Sequence, residues 1–253
     1  MISLANVSKT YAKTGTKAVD GLTLDVRDGE IFGFLGPNGA GKTTTIRILT
    51  GALNADCGRV AIDDIDLVER PLEAKRHFGY VGDNPELFNR LRAHEYLNFV
   101  ADVYRVPDEV RQERVEALAR RFDIASVLSS SIGSFSRGMK QKLCIIASLL
   151  HDPANWVLDE PMVGLDPQSA FDLKEIMRER AKAGKCVFFS THVMEVAERL
   201  CDRIAVINRG RIIFAGTLDE LRERRAAGPA TDESLESLFL GMVDKENNGR
   251  GAK

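Results

Sequence analysis

The sequence predicts an α/β fold, a core of strands and helices interrupted by one helical insert. Two observations carry that expectation. A glycine-rich loop, Gly36-Pro37-Asn38-Gly39-Ala40-Gly41-Lys42-Thr43, lies between the apolar run Ile31–Leu35 and a helical stretch from Thr44 to Thr50. That is the order strand, phosphate-binding loop, helix. The texture also changes twice: from Leu91 to Leu150 the pattern is helical and charged, and after Pro153 short apolar runs alternate with helices again.

The elements follow in order. Ile2, Leu4 and Val7 and the alternating Leu22-Thr23-Leu24-Asp25-Val26 read as strands, and Asp28-Gly29 is a turn before the strand Ile31–Leu35. Val60-Ala61-Ile62 and Phe78-Gly79-Tyr80-Val81 are further short strands. In the helical segment, Pro107-Asp108-Glu109 marks a helix start with proline in its first turn. Val115, Leu118 and Phe122 then recur at helical spacing, as do Met139, Leu143, Ile146 and Leu150. Trp156-Val157-Leu158 and Cys186–Ser190 are buried strands, with a helix from Pro167 to Ala183 between them and Gly184 just past its end. Ile204–Ile207 and Ile212–Phe214 flank the turn Asn208-Arg209-Gly210. Thr217-Leu218-Asp219-Glu220 is a capping box opening a last helix that Gly228-Pro229 ends. A short amphipathic piece (Leu235, Leu238, Phe239) precedes a polar tail from Asp244.

Bulk properties narrow the function. The chain has 253 residues, 44% of them hydrophobic, enough for one large α/β domain or two small ones. No run approaches the roughly eighteen apolar residues of a membrane span, and the first residues lack the basic start and apolar core of a signal peptide. A net charge of −2 gives no electrostatic reason to expect nucleic-acid binding. Cys57, Cys144, Cys186 and Cys201 are scattered and read as reduced thiols of a cytoplasmic protein, without metal-ligand spacing.

Several residues carry chemistry. Backbone amides of Gly36–Thr43 suit a β-phosphate, Lys42 reaches the β- and γ-phosphates, and the Thr43 hydroxyl ligates Mg²⁺. Strand Trp156–Leu158 ends in Asp159-Glu160. A carboxylate there, beside such a loop, holds Mg²⁺, and the next one polarises an attacking water. Alone, an Asp-Glu strand end is more often a solvated one. Ser136 reads as an N-cap for the helix beginning near Met139, and a capped helix start with a nearby glycine also suits an anion. His192 closes an apolar strand at the end where ligands gather in open α/β sheets. Tyr11 offers a ring for stacking on adenine, although a tyrosine alone is more often simply core or surface.

Taken together these residues resemble the ATP-binding subunit of ABC transporters. The resemblance runs from about residue 1 to 217 and covers the phosphate loop 36–43, a signature at 135–139, the Mg²⁺ strand at 156–160, a D-loop at 164–166 and a switch histidine at 190–192. The Phe-Ser-Arg-Gly-Met signature and the Asp-Glu-Pro-Met-Val-Gly-Leu-Asp-Pro run look like the branch that serves ABC-2-type membrane subunits. The resemblance implies a P-loop NTPase with a RecA-like core, an antiparallel β-subdomain and an inserted α-helical subdomain at about 84–152. A helical extension at 218–243 and a polar tail at 244–253 would follow. It implies that two subunits, identical or different, face head to tail on ATP and Mg²⁺ and drive an integral membrane subunit from the cytoplasmic face, in the export direction. Tyr11 would stack on the base, and residues 36–44 including Thr44 would cradle the phosphates. Thr43 and Asp159 would place Mg²⁺, Glu160 would activate water and His192 would hold the γ-phosphate. Ser136, Gly138, Met139 and the D-loop Asp166 would complete a site across the pair.

One position departs from the family. Where a glutamine is usual, after Phe78–Val81, an ungapped reading places Asp83. Aspartate can ligate Mg²⁺ but cannot donate a hydrogen bond while ionised. Two other functions compete: a soluble ABC-type ATPase acting on nucleic acid or the ribosome, and a nucleotide switch with slow turnover. The absence of basic charge and of a long coiled coil speaks against the first. Glu160 and His192 speak against the second.

Overall fold

The computed structural model describes residues 1–85 and 87–226, so the expected stop at Gly228-Pro229, the piece around Leu235 to Phe239 and the polar tail lie outside the described residues. β1 (Ile2–Tyr11) and β2 (Thr16–Val26) are antiparallel, with Ile2 opposite Val26 and Leu4 opposite Leu24. Their alternation buries one face, as the sequence pattern requires. β3 (Ile31–Leu35) is buried along its whole length and delivers the glycine-rich loop to α1 (Lys42–Leu49). β4 (Cys57–Ile62) pairs with β1 and turns into the two-residue β5 (Ile65–Asp66) through Asp63 and Asp64, both at positive φ. α2 (Pro71–Arg76) leads to β6 (Phe78–Val81).

The helical segment holds α3 (Ala93–Val103), α4 (Asp108–Arg121) and α5 (Arg137–Leu149). Pro107 caps α4 from outside rather than sitting in its first turn; its extended ψ of 147° keeps it out of the helix. Then follow β7 (Asn155–Asp159), α6 (Pro167–Lys182), β8 (Cys186–Thr191), α7 (Met194–Leu200), β9 (Arg203–Asn208), β10 (Arg211–Gly216) and α8 (Leu218–Ala226). At the start of α8 the capping box forms: Thr217 N–H donates to Glu220 Oε2 and Glu220 N–H to Thr217 Oγ1. Among the described residues no helix is long and apolar enough to cross a membrane.

Two sheets result. One is antiparallel, in the order β2-β1-β4-β5; the other runs β10-β9-β3-β8-β7-β6, parallel from β9 to β6 with β10 antiparallel at its edge. Burial on both faces explains the uninterrupted apolar runs of β3, β7 and β8. One core packs Trp156, Leu158 and Phe189 against Phe122, Leu143 and Ile146 of the helical segment. Another packs Phe32, Phe34 and Phe188 against the antiparallel sheet and α1. The register sets Leu35 opposite Thr191 and Asp159 opposite Ser190, so three parallel strands end together. Ligands gather outside the carboxyl ends of such strands.

Candidate active site

The glycine-rich loop is shaped by its surroundings. Gly41, the N-cap of α1, has φ 113°, and a Cβ there would collide with the Ala18 carbonyl oxygen. A Cβ on Gly36 would stand 2.5 Å from the Ile207 carbonyl oxygen. Gly210 N–H donates to Ala40 O at 2.8 Å, and Asp20 N–H to Gly210 O at 2.8 Å, so β2 and the β9–β10 turn clamp the loop from behind. Among the described residues no side chain caps α1, which leaves its first-turn amides and its dipole to an anion. Lys42, 6% exposed, donates from Nζ to the Gly36 carbonyl at 2.7 Å and lies 3.6 Å from Glu160 Oε1. Tyr11 stands at the end of β1 with its hydroxyl 3.3 Å from Thr44 Oγ1. An open cleft of about 690 Å³ runs from Tyr11 past Pro37–Gly39 and Gly41–Thr44 to Asp83 and Glu160.

Behind the loop lies the strand-end cluster. Asp159 is fully buried; its Oδ1 accepts from Ser190 Oγ at 2.5 Å, and its Oδ2 is buried with no hydrogen-bond partner among the described residues. Burial pushes its carboxyl above the ordinary value, the Ser190 and Thr43 hydroxyls oppose this, and the charges of Asp83 and Glu160 add to it. Glu160 sits at φ 47°, a left-handed conformation rare outside glycine. Its N–H donates to Ser190 Oγ at 3.0 Å, and its Oε1 is 3.0 Å from Nδ1 of the half-exposed His192. The unpaired Oδ2 of Asp159, on a carboxylate that the Thr43 hydroxyl also influences, fits a hard cation such as Mg²⁺. Among the described residues no three His, Cys, Asp or Glu side chains are grouped to hold a metal. Such an ion would therefore be shared with substrate phosphates, as Mg²⁺ usually is.

The remaining sequence-predicted residues lie elsewhere. Ser136 Oγ caps α5 by accepting from Met139 N–H at 3.2 Å. Asp166 caps α6, accepting from Ser169 N–H at 2.9 Å and Ser169 Oγ at 2.7 Å. Lys142 Nζ, 2.8 Å from Asp166, is the largest influence holding that carboxyl well below the usual range. A Cβ on Gly138 would stand 2.5 Å from Gly164 O, and Gln141 Nε2 donates to Pro161 O at 3.3 Å. The start of α5 is thus fastened to the loop after β7. Ser136, Gly138, Met139 and Asp166 do not line the cleft that Tyr11, the loop, Asp83 and Glu160 share. Arg137 Nη2, at the start of α5, also donates to the Asp83 carbonyl at 3.4 Å and so links the two groups.

Sequence reasoning missed Ser190, Ala18 and Gly210. Gly210 had a signal, the Asn-Arg-Gly turn between two apolar runs. Ser190 had only its place beside His192, and Ala18 had none.

A family model described as ABC transporter matches residues 19–163. The chain is 35% identical over 246 residues to the ABC transporter ATP-binding protein NatA of Bacillus subtilis, covering 96% of this chain and 98% of that one. A solved structure of an ATP-binding subunit of an ABC transporter superposes with a TM-score of 0.90 at 32% identity, over 96% of this chain and 99% of that one. The ATP-binding cassette MJ0796, solved as a dimer in a post-hydrolysis state with ADP and Pi, gives 0.78 at 25% identity over 86% and 99%. The fold expected from the sequence, a P-loop core with an antiparallel sheet and added helices, is the fold of these neighbours.

Proposed function

The chain belongs to the ABC transporter family of ATP-binding subunits, which hydrolyse ATP, and on that premise we propose how its residues divide the work. ATP binds in the cleft beside Gly36–Thr43, with Tyr11 on the base and Lys42 and the loop amides on the phosphates. A second ATP-binding subunit, placed head to tail, closes over it with Ser136, Gly138 and Met139, and its Asp166 loop lies at the same seam. Closure and reopening move a membrane-spanning subunit held at the cytoplasmic face of the membrane, in the direction of export. Residues 1–217 form the ATPase, with the segment at about 84–152 as its helical subdomain and 218–243 as a helical extension.

The observation that carries the reading is the grouping of Lys42, Glu160 and His192 at the end of β7. Glu160 Oε1 stands 3.6 Å from Lys42 Nζ and 3.0 Å from His192 Nδ1. In that position Glu160 orients water for attack on the γ-phosphate and takes its proton. His192 holds Glu160 and reaches the γ-phosphate. Thr43 and Asp159 would hold Mg²⁺, and Asp83 lines the same cleft as Thr43. The ion supplies charge neutralisation on the transferring phosphoryl group.

The separation of Ser136 and Asp166 from the cleft supports pairing, since residues that do not face their own nucleotide are free to face a partner's. MJ0796, a relative in the same fold, was solved as a dimer. The ABC-2-like signature supports export. The test is twofold. Phosphate release by the purified chain measures hydrolysis. Copurification of a polytopic membrane protein with the tagged chain measures coupling. Hydrolysis without any membrane partner would favour a soluble role.

A further inference from the structure

Ser190 is not used in the reading above, yet it touches both carboxylate residues of the strand end. It is fully buried at the end of β8, opposite Asp159 in register. A serine hydroxyl has one hydrogen to give. Glu160 offers its backbone N–H, a donor, at 3.0 Å, so the Ser190 hydrogen is directed to Asp159 Oδ1 at 2.5 Å. The hydroxyl is therefore a two-way brace. Through its hydrogen it fixes the rotation of the Asp159 carboxylate. Through its lone pair it satisfies the N–H of Glu160, a residue whose left-handed φ of 47° needs support from its surroundings.

The consequence appears at the other oxygen. With Oδ1 held by Ser190, Asp159 keeps Oδ2 buried and, among the described residues, without a hydrogen bond, on a carboxylate that the Thr43 hydroxyl also influences. We propose that Ser190 is the positioning residue of the Mg²⁺ site: its hydroxyl aims Asp159 Oδ2 at the ion and seats the Glu160 backbone that follows. This rests on the assignment of Asp159 to Mg²⁺. Partners that orient metal-ligating side chains are worth about 10–100-fold in metal affinity or activity. Ser190 reaches no nucleotide itself, so its loss acts through the metal.

The experiment measures binding of a fluorescent ATP analogue with EDTA and across a Mg²⁺ titration, for the parent, Ser190→Ala, Ser190→Thr and Asp159→Asn. For Ser190→Ala the expected result is parent-like affinity in EDTA and a half-saturating Mg²⁺ concentration raised about tenfold, with Ser190→Thr restoring the parent value. An unchanged Mg²⁺ titration in Ser190→Ala, while Asp159→Asn loses the Mg²⁺ effect, overturns the role of Ser190 alone. A Mg²⁺ effect that survives in Asp159→Asn overturns the metal assignment beneath it. If Ser190→Ala loses affinity in EDTA as much as in Mg²⁺, or if its melting temperature collapses, Ser190 is structural and the proposal fails. Ser190→Cys, close in volume but a weak donor, is the second variant should threonine not fit the packed strand; it is expected to follow alanine.

Discussion

Among the described residues, Asp159 keeps a buried oxygen without a hydrogen bond, and α1 opens on amides that no side chain caps. Around Ser136 and Asp166 the polar groups are engaged within the chain: Ser136 caps α5, and Asp166 caps α6 and binds Lys142. The first region is built for a ligand and holds its unsatisfied groups in place. The second is built as a rigid edge, with the start of α5 touching the loop after β7 at backbone distance. One chain thus carries a receptive half-site and a finished surface. The proposed head-to-tail pairing would bring one against the other.

Four substitutions can break or sharpen that contrast. The largest effect belongs to Glu160→Gln. Removing a general base costs on the order of 100-fold or more in turnover, while ATP binding is kept. Phosphate release should fall by that amount, and size-exclusion chromatography with ATP should show a persistent pair. Undiminished steady-state hydrolysis would sink the role given to Glu160.

Gly138→Ala comes next. Its methyl group meets the Gly164 carbonyl oxygen, and overpacking of this kind costs about 1–3 kcal/mol. Urea unfolding should register the loss. Hydrolysis should fail while a single chain still binds ATP in the intact cleft. A parent-like turnover would mean that the edge need not be rigid.

Ser136→Ala removes an N-cap, worth about 1 kcal/mol, and should lower the melting temperature without touching the receptive half. A change in nucleotide affinity of the isolated chain would blur the division between the halves.

The smallest effect is that of Asp166→Asn, which removes the charge facing Lys142. The carboxyl of Asp166 is depressed in the folded chain, so its contribution is present above the unfolded value of about 3.9 and fades as acid protonates it. The gap in melting temperature between parent and variant should therefore be visible at pH 7 and shrink below about pH 4. A gap that widens in acid would contradict the sign.

Much of this was legible in the sequence because it is written in local chemistry. Ile31–Leu35, Trp156–Leu158 and Cys186–Phe189 are apolar without interruption because both faces of a parallel strand are buried. Ser136 and Thr217 declared their caps through residue type and spacing. Other elements escaped for lack of length: β5 is two residues, and α2 and α7 are too short to show a period. What no pattern could give is the register between distant strands. Ser190 faces Asp159 only because β8 lies beside β7, and Ala18 backs Gly41 only because β2 passes behind the loop.

The clamp on the glycine-rich loop has a further consequence. With Gly41 closed in by Ala18, Gly36 by Ile207, and Ala40 bonded to Gly210, the loop has few conformations left to lose. Freezing the backbone of one free residue costs about 1–2 kcal/mol in entropy. For this loop the larger part of that loss belongs to folding rather than to binding. A nucleotide arriving there orders mainly itself, and a departing product leaves behind a cradle that keeps its shape for the next molecule.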